Sequence, residues 1–191
     1  MVITMKNLFE VAYSIQNFCQ KNKWQFCFIG GLALQRWGEN RVTQDVDLTI
    51  LTGIKNEAKF VEKLLSEYNT RIDAPIQFAL ENRVVLLKTE NNIGIDISLA
   101  ALPFEEKMIT RASLHEFYND ISLLTCSAED LIVMKIFAER IKDLIDAESI
   151  IIRQGNKLDI EYIKEELAGL AELKEEPELL DILNKMLKEN L

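Results

Sequence analysis

Three aspartates set inside otherwise apolar, β-branched runs constrain this chain more than any other feature. Asp45 and Asp47 open the run Asp45-Val46-Asp47-Leu48-Thr49-Ile50-Leu51, and Asp96 sits in Ile93-Gly94-Ile95-Asp96-Ile97-Ser98-Leu99. Both runs read as strands. Side chains two apart on a strand project from the same face, so Asp45 and Asp47 point the same way. Two carboxylates on one face repel unless a cation lies between them, and an unpaired charge inside an apolar strand is costly. If the two strands are neighbours in a sheet, all three acids share a face. Hard oxygen donors of that kind suit Mg²⁺ or Mn²⁺ held together with substrate phosphates. Taken singly, an Asp-x-Asp pair is common at strand ends and a buried Asp commonly pairs with Lys or Arg. The joint order and spacing carry the signal.

A second feature stands upstream. Gln25–Ile29 is a short aromatic-rich apolar run that stops at Gly30-Gly31, with thirteen residues intervening before Asp45. It reads as a buried strand entering a tight turn, followed by a short helix over Leu32–Trp37 that Gly38 ends. Glycine has no Cβ, so backbone N–H groups at such a turn can approach a ligand closely. A phosphate chain there would also face a helix N-terminus. Carboxylates, a diglycine turn and phosphates together suggest two-metal phosphoryl chemistry.

Elsewhere the pattern predicts helices over Lys6–Cys19 and Asn56–Tyr68, and strands at Gln77–Leu80, Val84–Leu87 and Ile93–Leu99. From Ser127, which resembles a helix cap with Asp130 three residues on, the period is helical in one run to about Ile152. Gln154-Gly155-Asn156 breaks it, Asp159 starts another helix, and Pro177 precedes a last one ending near Asn190. We therefore expect a mixed core over residues 1–125 and a helical region over 126–191. Glu129, Lys135, Glu139, Lys142 and Asp146 would lie along one helix, where surface ion pairing explains Glu139 and Lys142. Lys135 lies within Ile132-Val133-Met134 and Ile136-Phe137, so it is at a helix edge or aimed at an anionic site. His115, the single histidine, falls in a polar stretch, Ser113–Asn119, that reads as a surface loop or short helix without a catalytic role. Arg36 and Arg41 flank the segment between Gly31 and Asp45, where each is a solvated residue or a phosphate contact.

Composition excludes several classes. A net charge of −9 argues against a general nucleic-acid coat. Three dispersed cysteines form no zinc cluster and suggest reduced thiols and a cytoplasmic address. Met1–Lys6 lacks a signal-peptide pattern, and no apolar run approaches the ~20 residues needed to cross a bilayer, so no membrane association is expected.

The segments Ile29-Gly30-Gly31 and Asp45-Val46-Asp47-Leu48, with Asp96 as a third acid on a later strand, resemble the nucleotidyltransferase superfamily. Thr43, two residues before the first Asp, also matches. Ser127-Ala128-Glu129-Asp130-Leu131, Lys135 and Arg140-Ile141-Lys142-Asp143-Leu144-Ile145-Asp146 resemble the helical motifs of AbiEii-type proteins, nucleotidyltransferase-like toxins of abortive-infection and toxin–antitoxin systems. The resemblance implies an α/β (α+β) nucleotidyltransferase fold, a small mixed sheet flanked by helices, with an all-helical C-terminal region closing over one side of the cleft. It implies catalytic, metal-holding roles for Asp45, Asp47 and Asp96, with Mg²⁺ or Mn²⁺ as cofactor. Nucleotide-binding roles fall on Gly30, Gly31, Thr43, Lys135, Arg140 and Asp143. It implies a nucleoside triphosphate substrate (ATP, GTP, CTP or UTP), a hydroxyl acceptor on tRNA or a protein, and an antitoxin partner. The basic residue that such toxins place near the second-motif carboxylate is represented most closely by Lys88. Two rivals stand beside this reading. One is a nucleotide-binding module without turnover, an antitoxin or regulatory partner, which the presence of all three carboxylates disfavours. The other is an antibiotic adenylyltransferase similar to the aminoglycoside and lincosamide enzymes, whose cationic substrates suit an acidic chain.

Overall fold

A computed structural model describes residues 5–118 and 120–191. Met1–Thr4, on which part of the signal-peptide reading rests, and Asn119 lie outside the described residues. The chain divides into two compact units, one formed by the described part of Met1–Leu32 with Val42–Cys126, the other by Ala33–Arg41 with Ser127–Leu191. The sequence places the junction at 125/126. The contacts place it after Cys126 and group Ala33–Arg41 with the helical part.

Along the chain, α1 (Met5–Lys21) precedes β1 (Phe26–Phe28), α2 (Gly30–Trp37) starts in the first unit and continues into the second, and β2 spans Asp45–Leu51 in the first. Then come α3 (Glu57–Leu65), β3 (Asn69–Thr70), α4 (Pro75–Asn82), β4 (Val84–Lys88), β5 (Gly94–Ala100), α5 (Pro103–Arg111), β6 (Ser113–Tyr118) and β7 (Ile121–Thr125). The seven strands form one mixed sheet in the order β3-β4-β5-β2-β1-β7-β6. β2 and β5 are parallel neighbours at its centre, while β1–β2, β4–β5 and β6–β7 are antiparallel.

Alternation decides which side of these strands is dry. Val46, Leu48 and Ile50 of β2 register with Ile95, Ile97 and Leu99 of β5, and Val85 and Leu87 of β4 continue the layer. All are buried, together with Leu8, Ala12 and Ile15 of α1 and Val61 and Leu64 of α3. The opposite parity, with Asp45, Asp47 and Asp96, therefore faces the other side of the sheet.

The second unit packs α6 (Ala128–Ala138), α7 (Ile141–Gln154), α8 (Ile160–Lys174) and α9 (Glu178–Asn190) around Ile132, Ile136, Ala147, Ile150, Ile163, Leu167, Leu179 and Leu183. Its caps follow the sequence: Ser127 Oγ accepts from Asp130 N at 3.1 Å, and Asp159 accepts from Tyr162 N at 3.0 Å. Gly155, at φ +53, ends α7.

Three expectations are corrected. Gln77–Leu80 belongs to helix α4, not to a strand. Pro75 in its first turn presets the helical φ and needs no hydrogen-bond partner there, and a four-residue apolar run has no period of its own to decide the matter. Ser113–Tyr118 is an edge strand rather than a loop or short helix. It pairs with β7, and Asp120 takes the left-handed conformation, at φ +64, that a tight hairpin needs. The helical run to Ile152 is two helices: Glu139, left-handed at φ +54, stops α6, and Arg140 caps α7.

Ile97 is wholly buried on β5, between β2 and β4. Ile97→Ala is expected to cost about 3 kcal/mol, read as a lowered denaturant midpoint with an unchanged slope.

Candidate active site

The parallel register of β2 with β5 sets Asp47 beside Asp96 and Asp45 beside Gly94. The juxtaposition anticipated from the sequence is therefore present. The side chains of Asp45 and Asp96 are 48% and 34% exposed, so this acidic face is open to solvent. Between them comes a residue that the sequence did not single out. The guanidinium of Arg71 pairs with Asp96 and stands 3.9 Å from Asp45 Oδ1. Lys88, the basic residue nearest to these acids in the sequence, registers with Gly94 at the end of β4, while Arg71 is the cation seen in contact with Asp96 and Asp45. The signal for Arg71 was weak because it follows β3, a strand of two residues that no periodicity reveals. Burial raises the Asp96 pKa. The Arg71 charge works against that, and the charge of Asp45 adds to the rise.

The diglycine abuts the same acids. Ile29 N donates to the backbone oxygen of Asp47 at 3.0 Å, fixing the end of β1 against β2. Gly30 then adopts φ +56, and a Cβ there would lie 2.6 Å from Asp47 Cγ. Both the backbone angle and the close approach require glycine. A Cβ on Gly31 would lie 2.6 Å from the Cβ of Thr43, whose hydroxyl donates to the backbone oxygen of Asp45 at 3.3 Å. Gly31 N points at Asp47 Oδ2 from 3.4 Å. Helix α2 thus begins at the diglycine itself, two residues earlier than expected, with Asp47 against its first turn, where a negative charge is favoured.

Asp45, Asp47 and Asp96 are the carboxylates that could hold a hard divalent cation. They supply oxygen donors from one sheet face, partly open to solvent, beside backbone N–H groups suited to phosphate. As they stand, no three His, Cys, Asp or Glu side chains among the described residues converge into a ready-made metal cluster. Arg71 is the cation that Asp45 and Asp96 share.

In the second unit, the expected nucleotide-binding residues Lys135, Arg140 and Asp143 form one ionic cluster. Lys135 is 6% exposed, and its ammonium donates to Asp143 Oδ1 at 2.5 Å and to Asp146 Oδ2 at 2.7 Å. The anions it meets are thus carboxylates of its own unit. Arg41 adds a two-pronged contact to Asp146, with both bonds at 2.8 Å, and Arg140 pairs with Asp143 while its side chain stays 77% exposed. Burial pushes Asp146 up, but hydrogen bonds from Arg41 and Lys135 outweigh it and hold its pKa below the ordinary aspartate value. The break at Glu139 permits this cluster, because residues 135 and 143 on one straight helix would be about 12 Å apart.

Comparisons with known proteins give the family and the fold. The family described as "Nucleotidyl transferase AbiEii toxin, Type IV TA system" matches residues 19–190. Among solved structures, an antigenic nucleotidyltransferase-like protein from Paracoccidioides brasiliensis is similar at 14% identity, covering 95% of this chain and 94% of its own, with a TM-score of 0.54. The lincosamide antibiotic adenylyltransferase LnuA, bound to lincomycin, is similar at 16% identity over 78% of this chain and 96% of its own (TM-score 0.52). The antibiotic-resistance factor ANT(2'')-Ia is similar at 12% identity over 90% of this chain and 95% of its own (TM-score 0.56). At such identities these likenesses establish the shared nucleotidyltransferase fold. No curated protein sequence matches the chain.

Two predictions follow from the geometry. Gly30→Ala should destabilise the first unit by about 2 kcal/mol, combining the left-handed backbone cost with displacement of Asp47; equilibrium unfolding reads it. Asp146→Asn should cost about 3 kcal/mol at neutral pH, because it leaves buried Lys135 short of a partner. Asp146 is lowered in the folded state, so its stabilisation is present above the ordinary aspartate pKa and is lost as pH falls beneath it. The variant and the wild type should therefore converge in acid, as read by unfolding midpoints across pH.

Proposed function

The chain belongs to the AbiEii nucleotidyl transferase toxin family and is a nucleotidyltransferase, and on that premise we propose that it moves a nucleoside monophosphate from a nucleoside triphosphate onto a hydroxyl of tRNA or a protein, as the toxin of a toxin–antitoxin pair. The observation that carries the proposal is the alignment of Asp47 with Asp96 across parallel strands, with Asp45 on the same face and the diglycine pressed against Asp47. The first turn of α2 would receive phosphate oxygens on its N–H groups, as helix N-termini do. Thr43, bonded to the main chain of Asp45, would hold the approach to that strand in place.

Asp45 and Asp47 would hold Mg²⁺ or Mn²⁺, and Asp96 would complete the set for the metal nearest the acceptor. A divalent cation so bound supplies charge neutralisation of the triphosphate and a lowered pKa for the acceptor hydroxyl. In the transfer the hydroxyl oxygen forms a bond to the α-phosphorus, the bond from that phosphorus to the bridging oxygen of the β-phosphate breaks, and pyrophosphate leaves with the electron pair. Asp96 would take the hydroxyl proton on its carboxylate. Lys135, Arg140 and Asp143 are proposed as nucleotide-binding residues on the strength of the family resemblance. Arg140, with most of its side chain exposed, is the member able to offer donors outward. No helix among the described residues is long and apolar enough to cross a membrane, in keeping with the proposed cytoplasmic setting.

The test is incubation with labelled ATP, GTP, CTP and UTP and a panel of tRNA, candidate protein partners, an aminoglycoside and a lincosamide. The two drugs belong in the panel because two of the similar structures are described as a lincosamide antibiotic adenylyltransferase and an antibiotic-resistance factor. Asp47→Ala should lower labelling at least ~10³-fold while leaving far-UV circular dichroism unchanged. Labelling by folded Asp47→Ala at the wild-type rate would refute the assignment. Binding of a triphosphate without transfer to any acceptor would favour the module without turnover.

A further inference from the structure

We propose that Arg71 is a built-in counter-ion of the carboxylate face that competes with divalent metal for Asp45 and Asp96, and so sets how much metal the enzyme requires. This rests on the reading of Asp45, Asp47 and Asp96 as metal-holding residues. Arg71 comes from neither acid-bearing strand. It follows β3 in the turn into α4, where its N–H donates to Leu86 O at 3.0 Å. The adjacent Thr70 hydroxyl is bonded to Ile72 N at 3.2 Å, so the main chain on both sides of Arg71 is held. The reach across to the acids is left to the side chain, whose guanidinium meets Asp96 Oδ1 and approaches Asp45 Oδ1.

An ordinary surface ion pair would involve one partner and no special provision of space. Here one planar guanidinium spans two carboxylates, a geometry suited to its fork of N–H donors. Space is provided as well. Gly94 registers with Asp45, and a Cβ there would come within 2.8 Å of Arg71 Nη1 and 3.1 Å of Asp45 Cγ. The bridge thus depends on glycine at position 94. The oxygens that Arg71 engages belong to the carboxylates assigned to metal, and a carboxylate oxygen committed to a guanidinium is a poorer metal donor. Arg71 and the metal are therefore alternatives at Asp45 and Asp96, and the side chain can swing away because about a third of it is exposed to solvent.

If the bridged state holds about nine-tenths of the population, apparent metal affinity is reduced about tenfold. Mn²⁺ titration of the full chain without nucleotide, followed by electron paramagnetic resonance, measures this directly. Arg71→Gln should bind Mn²⁺ about tenfold more tightly than wild type, and Arg71→Lys, which keeps the charge but not the planar fork, about threefold more tightly. Thermal melts supply a second readout. In EDTA, Arg71→Gln should melt below wild type because its carboxylates have lost their cation, and saturating Mn²⁺ should close the gap. Should Arg71→Gln not fold, Arg71→Lys alone decides. Equal or weaker Mn²⁺ binding by the variants overturns the proposal, since Arg71 would then support the metal-holding carboxylates and not compete for them. Absence of Mn²⁺ binding by wild type and Arg71 variants alike overturns it together with the metal-holding reading. Mn²⁺ binding that Asp47→Asn abolishes but Arg71→Gln leaves unimproved sinks the Arg71 inference alone.

Discussion

Each of the two central strands carries two patterns in alternation, and both patterns are satisfied by one parallel pairing. With Val46 opposite Ile95, Leu48 opposite Ile97 and Ile50 opposite Leu99, one side of β2 and β5 closes a dry layer against α1 and α3. The same register forces Asp47 beside Asp96 on the other side. A slip of either strand by one residue would bury its acid or acids and expose its three large apolar side chains, so the core fixes the site's geometry. The electrostatic consequence is unavoidable. Carboxylates on strands about 4.8 Å apart repel by roughly 3 kcal/mol at an effective dielectric near 20, and partial exposure to water reduces that figure. The acidic face therefore needs a cation, and its surroundings reflect that need.

Three glycines mark where the chain has made room. Gly30 lets Asp47 lie against the first turn of α2, Gly31 admits Thr43, and Gly94 leaves space for Asp45 and Arg71. No side chain larger than hydrogen fits at these points without something moving. The helix N-terminus contributes positive potential on one flank and the guanidinium a full charge on the other. In the second unit the opposite solution is used. Asp143 and Asp146 are buried and paired with Lys135, Arg41 and Arg140, a network whose removal in part would strand a charge.

What the sequence revealed and what it hid have the same origin. The acid-bearing strands, the diglycine turn and the caps at Ser127 and Asp159 were legible because each is specified by residues adjacent in the chain. Hydrophobic alternation and cap chemistry are local rules. Gln77–Leu80 was misread because four residues cannot distinguish the two periods, and Pro75 outside the run decided it. The break at Glu139 was invisible for another reason. A glutamate in the left-handed region carries no local signature, and this one is held by Lys174, thirty-five residues away. His115 fell in an apparently polar loop because β6 is an edge strand whose outward positions are wet.

Arg71 shows most clearly where local reading ends. Nothing around Thr70-Arg71-Ile72 separates this arginine from a solvated one, since its partners are supplied by strands twenty-six residues before it and twenty-five after it in sequence. The sequence did state the requirement that it meets. Two aspartates on one strand face and a third in an apolar strand call for a cation, and that demand can be read before any fold is known. Which cation answers it depends on tertiary structure, and here a guanidinium occupies the position from which the acids' chemistry can be regulated. A demand for charge is therefore legible in the linear chain, while its supply becomes visible only when the strands have paired.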